Sequence, residues 1–141
     1  MRFLLAALAL IAQTAAPPAT AFRARLSPVP VESNNASKIT GSGTVTATLD
    51  GTKLTIAGTF QGMKSAATIA QIHMGQRGVR GPVEFDLEIT KSPSGSISGV
   101  ITLTKVQVDT LRRGWYYIQV HAQDAPDGNL WGWLLPTSPS S

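Results

Sequence analysis

Apolar and polar residues alternate along most of the chain beyond residue 21, and this period of two is typical of β-strands that bury one face. The predicted strands are residues 22–26, 43–49, 53–60, 68–73, 82–89, 96–103, 115–122 and 129–134. Asp50-Gly51 is a strong hairpin signal, and residues 125–128 form a predicted Pro/Gly turn before the last strand. The pattern therefore predicts an all-β domain.

One short helix interrupts the strands between residues 103 and 115. Thr104 is a good N-cap, and Gln107 three residues later completes a capping box. Arg112 and Arg113 suit the C-terminal end of the helix dipole, and Gly114 suits the position just past the last turn. Short strands with a single helix favour a β-sandwich or a Greek-key barrel.

The first 21 residues differ from the rest of the chain. Met1-Arg2 is a short positive start, residues 3–12 are apolar, and Ala19-Thr20-Ala21 offers the small residues that signal peptidase recognises. The apolar run suits a signal-peptide core better than a mature spanning helix, and an N-terminal anchor is the alternative. We predict a signal peptide at 1–21, a mature domain at 22–136 that starts at Phe22, and a flexible tail at 137–141.

The amino-acid composition limits the cellular compartments and the kinds of chemical site that fit this chain. The chain has no cysteine, which excludes disulfides, thiolate metal sites and a thiol nucleophile. No second apolar run reaches membrane length, so we expect a periplasmic or secreted protein with no membrane span after signal cleavage. The net charge of +4 is mild and the basic residues are scattered, which argues against a nucleic-acid partner.

The two histidines, His73 and His121, end predicted strands in matching contexts, each following a glutamine and a branched apolar residue. Alternation places both imidazoles on the non-core face, where they meet if the strands are neighbours. Since neutral imidazole binds copper or zinc, both are candidate metal ligands. A third ligand would come from Asp124, Asp127 or Met74; the alternative is a hydrogen-bonded polar cluster without a metal.

Aromatic residues collect on one face of the last two predicted strands. Trp131 and Trp133 alternate with leucines, and Trp115, Tyr117 and Gln119 share one face of the preceding strand. A hairpin would place Tyr117 beside Trp133 and Gln119 beside Trp131. If the leucine face is the core, the aromatic residues form an outer contact surface for a protein or a sugar. Alternatively, the two faces are inverted or another segment covers the tryptophans.

Residues 75–81 combine three glycines with Arg77 and Arg80. Backbone amides and guanidinium groups in such a loop can hold an anion, although a solvated turn is the plainer interpretation. No nucleophile, phosphate-loop or zinc-protease motif is present, and two histidines without cysteine leave few catalytic groups. We therefore expect no enzymatic activity.

Several segments together resemble the CHRD domain, a module named after the animal protein chordin and common in bacterial exported proteins. They are residues 43–51, 70–73 with 78–85, 96–108, and 117–121 with 128–134. The resemblance extends over residues 22–134 and implies an immunoglobulin-like or superoxide-dismutase-like Greek-key β-sandwich or barrel. Because chordin binds growth factors, the resemblance also implies a binding role.

Two departures from the family pattern affect the candidate sites. Family members often have histidine where this chain has Gln71, which removes one candidate metal ligand. Their last strand often reads G-E-I-R-G-Q-L, where residues 128–134 here place Trp131 and Trp133 at outer positions. This change favours a more adhesive surface that faces a partner.

Three functions remain as hypotheses. The first is a non-enzymatic binding or accessory module that contacts an unidentified protein partner. Its contact residues would be Trp115, Tyr117, Trp131, Trp133, Arg77 and Arg80. The second is a copper- or zinc-binding protein that uses His73 and His121, and the third is a carbohydrate-binding module that uses the aromatic surface.

Overall fold

The computed structural model describes residues 20–137. The predicted signal peptide lies outside this range except for Thr20 and Ala21, and the predicted tail lies outside it except for Thr137. Thr20 and Ala21 belong to the first strand, where they pair with Leu49 and Thr48 of the second. Among the described residues, helices are too short and too polar to cross a bilayer.

The elements are strands with one helix and one single-turn 3-10 helix at Ala36–Lys38. The strands are β1 Thr20–Pro28, β2 Ser42–Asp50, β3 Lys53–Gln61, β4 Ala67–Met74, β5 Val83–Ile89, β6 Gly95–Thr102, β7 Tyr116–Ala122, β8 Ala125–Trp133 and the short β9 Leu135–Pro136. The helix, α1, comprises Lys105–Arg112. The prediction of an all-β domain with one short helix is confirmed.

Eight of these strands close into an antiparallel barrel. Around the barrel the order is β1-β2-β3-β6-β5-β4-β7-β8, and β8 returns to β1. The ladder between β8 and β1 is short, pairing Ser27 with Trp131 and Pro28 with Leu130. This closure brings the first strand of the domain against the last long one, and it positions the candidate site.

The barrel interior is filled by the apolar residues of each alternating strand. Leu130 and Leu134 are fully buried, as are Phe22 and Ala24 of β1. Burying one large apolar side chain contributes about 1.5–3 kcal/mol, so this interior is the main source of stability in a domain without disulfides. The leucine face of β8 is therefore the core face, as predicted.

The predicted capping box at the start of α1 is confirmed. Gln107 donates its backbone N–H to Oγ1 of Thr104 at 3.2 Å, and the Thr104 N–H bonds Oε1 of Gln107 at 2.8 Å. The helix buries Leu111, and Gly114 after it adopts a φ of 74°. These local interactions fix the direction in which the chain enters β7.

The predicted Pro/Gly turn at 125–128 is wrong. The chain reverses at Gln123 and Asp124, and β8 already begins at Ala125, which pairs with Ala122. Two hydrogen bonds hold the earlier reversal, from Gln123 N to the Ala66 carbonyl and from Asp124 N to Oγ of Ser65. The proline and glycine that suggested a turn, Pro126 and Gly128, lie instead in an irregular part of the hairpin.

Candidate binding site

The outer face of β4, β7 and β8 gathers the residues that the sequence singled out. Tyr117 pairs with Trp133 and Gln119 pairs with Trp131, as the hairpin prediction required. On the other side of β7, His73 of β4 pairs with Tyr117. The alternation of β-strands then turns these side chains to the same face, away from the leucine core.

Four rings on this face form an outer aromatic cluster, made of Tyr117, Trp131, Trp133 and His73. The Tyr117 ring lies 4.7 Å from Trp133 and 5.0 Å from His73, measured between centroids. Trp131 meets Tyr117 edge-on at 5.8 Å and Trp133 at 4.8 Å with an interplanar angle of 68°. Edge-to-face packing at these distances is favourable for aromatic rings, so the cluster holds its own geometry.

Residues 75–81, here called the glycine loop, fold over the cluster. At one end, the Gly75 carbonyl accepts a hydrogen bond of 3.0 Å from Nε1 of Trp133, and the Gly75 N–H donates to the Trp115 carbonyl at 2.8 Å. At the other end, Gly81 bonds the Tyr117 hydroxyl through its N–H at 2.9 Å. A side chain at Gly81 would collide with the Met74 carbonyl, so only glycine allows this close approach.

Tyr117 is consequently buried, with 1% of its surface exposed. The expectation that its ring faces water as part of a contact surface is wrong, because the glycine loop covers it. His73 is covered by the same loop and is 8% exposed. Both rings lie on the predicted face, but they support the loop and the indoles from beneath.

Trp131 and Trp133 stay half-buried and line a cleft of about 210 Å³, here called the arginine–tryptophan cleft. The pairing of Ser27 with Trp131 brings β1 alongside, so that Arg25 enters the same cleft. Arg77 approaches from the glycine loop. The remaining lining is Ser27, Gly132 and Leu135.

Arg80 lies close to the cleft but has a different role from Arg77. Its guanidinium stands over the Trp131 ring at 5.6 Å, and its Nη1 donates to the Asp127 carbonyl at 3.4 Å. This cation–π contact covers one face of the indole and ties the glycine loop to the β7–β8 hairpin. The structure therefore brings only one of the two predicted loop arginines into the cleft lining.

Trp115 does not line the cleft. Its ring lies 5.4 Å beneath the guanidinium of Arg113, and its carbonyl accepts the hydrogen bond from Gly75. The residue is half-buried just before β7. Through its carbonyl, Trp115 helps to hold the glycine loop in place. Its indole is not among the side chains that line the cleft, unlike the indoles of β8.

The two histidines do approach each other, with ring centroids 6.3 Å apart. Nδ1 of His73 lies 2.9 Å from the Gly81 carbonyl, and Nδ1 of His121 lies 2.7 Å from the Pro126 carbonyl. Carbonyl oxygens only accept, so each Nδ1 carries a proton, and in the neutral form of the ring each Nε2 has a lone pair. Nε2 of His73 is buried and has no hydrogen-bond partner among the described residues.

Neither Asp124 nor Asp127 completes a metal site with the two histidines in the part of the chain that the structure describes. Within it, no group of three or more histidine, cysteine, aspartate or glutamate side chains is placed to hold a metal ion. Gln71, at the position where the family pattern often has histidine, bonds the Asp86 carboxylate at 3.0 Å. Gln119 lies 3.4 Å from Nε2 of His121 and donates to the Asp127 carbonyl.

Sequence reasoning missed Arg25 and Leu135 as parts of the site. The alternation of β1 does place Arg23 and Arg25 on the outer face, so the signal for an exposed basic strand was present. What the sequence could not show is that β1 closes the barrel against β8, since that contact joins residues about 100 positions apart.

A comparison with protein-family models gives a match to the CHRD domain over residues 22–134. No curated protein and no solved structure matches the chain at a significant level.

Proposed function

Because the chain belongs to the CHRD domain family, we propose that it is an exported, non-enzymatic binding or accessory module that contacts a protein partner through the arginine–tryptophan cleft. The observation that carries the proposal is the half-buried pair Trp131 and Trp133, which line an open cleft together with two arginines. Tryptophan and arginine are the residues most enriched at binding hot spots.

The cleft is organised before any partner arrives. The indole of Trp133 is fixed by its bond to Gly75 and by its contact with Tyr117, and Trp131 is held between Tyr117 and Arg80. Side chains that are already ordered lose less conformational entropy on association. Tyr117 thus supports binding without touching the partner, whereas the glycine loop both fixes the indoles and contributes Arg77 to the cleft lining.

The proposal also includes the type of β-barrel and the cellular compartment of the protein. The strand order β1-β2-β3-β6-β5-β4-β7-β8 supports a Greek-key barrel of the superoxide-dismutase-like type over an immunoglobulin-like sandwich. The apolar N-terminal run supports export to the periplasm or the cell exterior after cleavage of residues 1–21.

The test is capture of the partner from the source organism by the affinity-tagged protein after chemical crosslinking, with identification by mass spectrometry. Trp131→Ala should abolish capture, because it removes one wall of the cleft and no hydrogen bond. Trp115→Ala is the matched control, since it removes another half-buried indole outside the cleft and should leave capture intact. Equal capture by wild type and Trp131→Ala would refute the proposal.

A second candidate function, copper or zinc binding at His73 and His121, is favoured by one observation. Both Nδ1 atoms are anchored on backbone carbonyls, which is how proteins fix the tautomer of metal-ligating histidines. The unpartnered Nε2 of His73 would gain a partner in the ion. Two imidazoles leave coordination positions for water or for a partner's side chain.

Thermal unfolding with copper, with zinc and with chelator tests this candidate. Binding to the folded state predicts a metal-dependent rise in Tm that disappears in His73→Ala and persists in Gln71→Ala, a substitution on the same strand and face. Identical melting curves in all three conditions would eliminate the metal hypothesis.

A further inference from the structure

Two arginines from distant parts of the chain meet at the arginine–tryptophan cleft. Arg25 comes from β1 and Arg77 from the glycine loop, and both are exposed. We infer that the cleft binds a carboxylate of an acidic peptide segment in the partner, flanked by an apolar side chain that packs between the indoles and Leu135. This inference rests on the proposed function and names the chemistry of its ligand.

Charge is the first argument. The cleft lining contains two guanidinium groups and no carboxylate. Guanidinium presents a planar fork of N–H donors that matches the two oxygens of a carboxylate, and such charge-assisted hydrogen bonds are stronger than neutral ones. The adjoining indoles and Leu135 supply apolar surface beside the arginines, and a ligand that covers this surface would lower the local screening of the charges.

Size is the second argument. The cleft encloses about 210 Å³, whereas sites for drug-sized ligands occupy about 300–1,000 Å³. The space fits one anchoring side chain with part of its neighbour. An anchor of this kind is how a peptide or an exposed loop of a protein engages a preformed pocket.

The arrangement of the rings argues for a peptide over an acidic sugar. A pyranose ring stacks on a flat aromatic platform, but Trp131 and Trp133 are inclined at 68° to each other. Arg80 already lies over the Trp131 ring, and Nε1 of Trp133 is engaged by Gly75. The indoles thus act as apolar walls, which suits an aliphatic or aromatic residue beside the carboxylate.

A selection from a phage-displayed library of random peptides, with the purified full-length protein as bait, tests the inference. The enriched peptides should carry aspartate or glutamate next to tryptophan, phenylalanine or leucine. The strongest peptide and its glutamine- or asparagine-substituted counterpart are then synthesised, and their Kd values are measured by isothermal titration calorimetry.

Arg25→Gln and Arg77→Gln should each weaken binding of the acidic peptide by about tenfold or more, and loss of the peptide carboxylate should have the same effect. Arg112→Gln, which removes the same charge from the exposed end of α1, should leave Kd unchanged. Both cleft arginines are exposed, and unchanged melting temperatures would show that the variants fold.

Several results would overturn the inference. Enrichment of neutral peptides whose binding needs Trp131 but neither arginine would do so while leaving the proposed function in place. Binding of polygalacturonate or inorganic phosphate with no peptide enriched would also overturn it, since the anion would then belong to a sugar or a phosphate. A selection that enriches no peptide, with no binding of either anion, counts against it as well.

Discussion

The hydroxyl of Tyr117 lies 2.9 Å from the backbone nitrogen of Gly81 and 3.3 Å from its carbonyl oxygen. It accepts a hydrogen bond from the N–H and donates one to the carbonyl, so a single phenol satisfies both polar groups of one residue. The same carbonyl bonds Nδ1 of His73. A glycine at the end of the loop is thereby fixed to two strands of the barrel, and the loop in turn buries both rings.

Tyr117→Phe should destabilise the protein and loosen the glycine loop. The change keeps the ring packing but leaves the Gly81 N–H without its partner, which costs about 1–3 kcal/mol in a buried setting. Urea unfolding measures the loss of free energy, and hydrogen exchange measures the opening of residues 75–81. Tyr116→Phe is the control: that ring is equally buried but makes no hydrogen bond to the loop, so exchange in the loop should not change.

The loop also predicts a contrast between two of its glycines. Gly81→Ala should destabilise by about 3 kcal/mol, because its methyl group meets the Met74 carbonyl and the backbone must shift. Gly78→Ala should cost about 1 kcal/mol, since it has a φ of 83° but open space around it. Both values come from chemical denaturation. Similar losses for the two variants would mean that loop conformation, and not the close approach, sets the requirement.

The pairing of Tyr117 with Trp133 was predictable because the information is local. The two strands form a hairpin, alternation decides which side chains share a face, and the leucines between the tryptophans mark the core side. The capping box of Thr104 and Gln107 was predictable for the same reason, as all its atoms lie within one helical turn.

Which segment of the chain covers a sheet face is not determined by local sequence, and the prediction that Tyr117 is exposed was wrong for this reason. Alternation placed Tyr117 on the outer face correctly, but it carries no information about a loop that folds back onto that face. The glycines at 75, 78 and 81 suggested a turn or an anion site, whereas Gly75 and Gly81 allow the loop backbone to approach the carbonyls of Val79 and Met74 closely, with the Tyr117 ring also near Gly75. A glycine-rich loop beside buried aromatic residues admits either interpretation from sequence alone.

For a related reason, the sequence could not predict that Arg25 lines the cleft. Its strand showed a clear alternation, but which strand it would meet depended on closure of the whole barrel. A contact between strands at opposite ends of the domain is not encoded in any short pattern of residues. The prediction of a reversal at 125–128 was wrong because hydrogen bonds from Gln123 and Asp124 to residues 65 and 66, just before β4, determine where the chain turns.

Removal of the helix cap should have a modest and local effect. Thr104→Ala deletes the side-chain oxygen that accepts the Gln107 N–H and should cost about 1 kcal/mol of unfolding free energy. Lys105→Ala, one position later and exposed, is the control and should change stability by less than about 0.5 kcal/mol. Chemical denaturation of both variants decides the matter; equal stabilities would show that barrel contacts alone hold α1.

Stability should fall at alkaline pH because of Tyr116. Burial raises its pKa from 10.0 to about 12, the negative charge of Glu84 adds to the rise, and a hydrogen bond with Thr110 opposes it. Above pH 10.0 the unfolded chain releases the phenol proton while the folded protein retains it. The contribution of Tyr116 is therefore fully present below that pH and is lost as pH rises through the folded value.

Two measurements check this prediction. Absorbance titration of the phenolate in Tyr117→Phe, where Tyr116 is the remaining tyrosine, should give a midpoint near 12, and Glu84→Gln should lower it. Glu88→Gln removes an exposed carboxylate from the same strand and should leave it unchanged, because Glu88 is not a cause of the shift. Urea unfolding between pH 10.0 and 12 should show a smaller loss of stability in Tyr116→Phe than in wild type. A phenolate midpoint at 10.0 in the folded protein would contradict the prediction that burial raises the pKa of Tyr116.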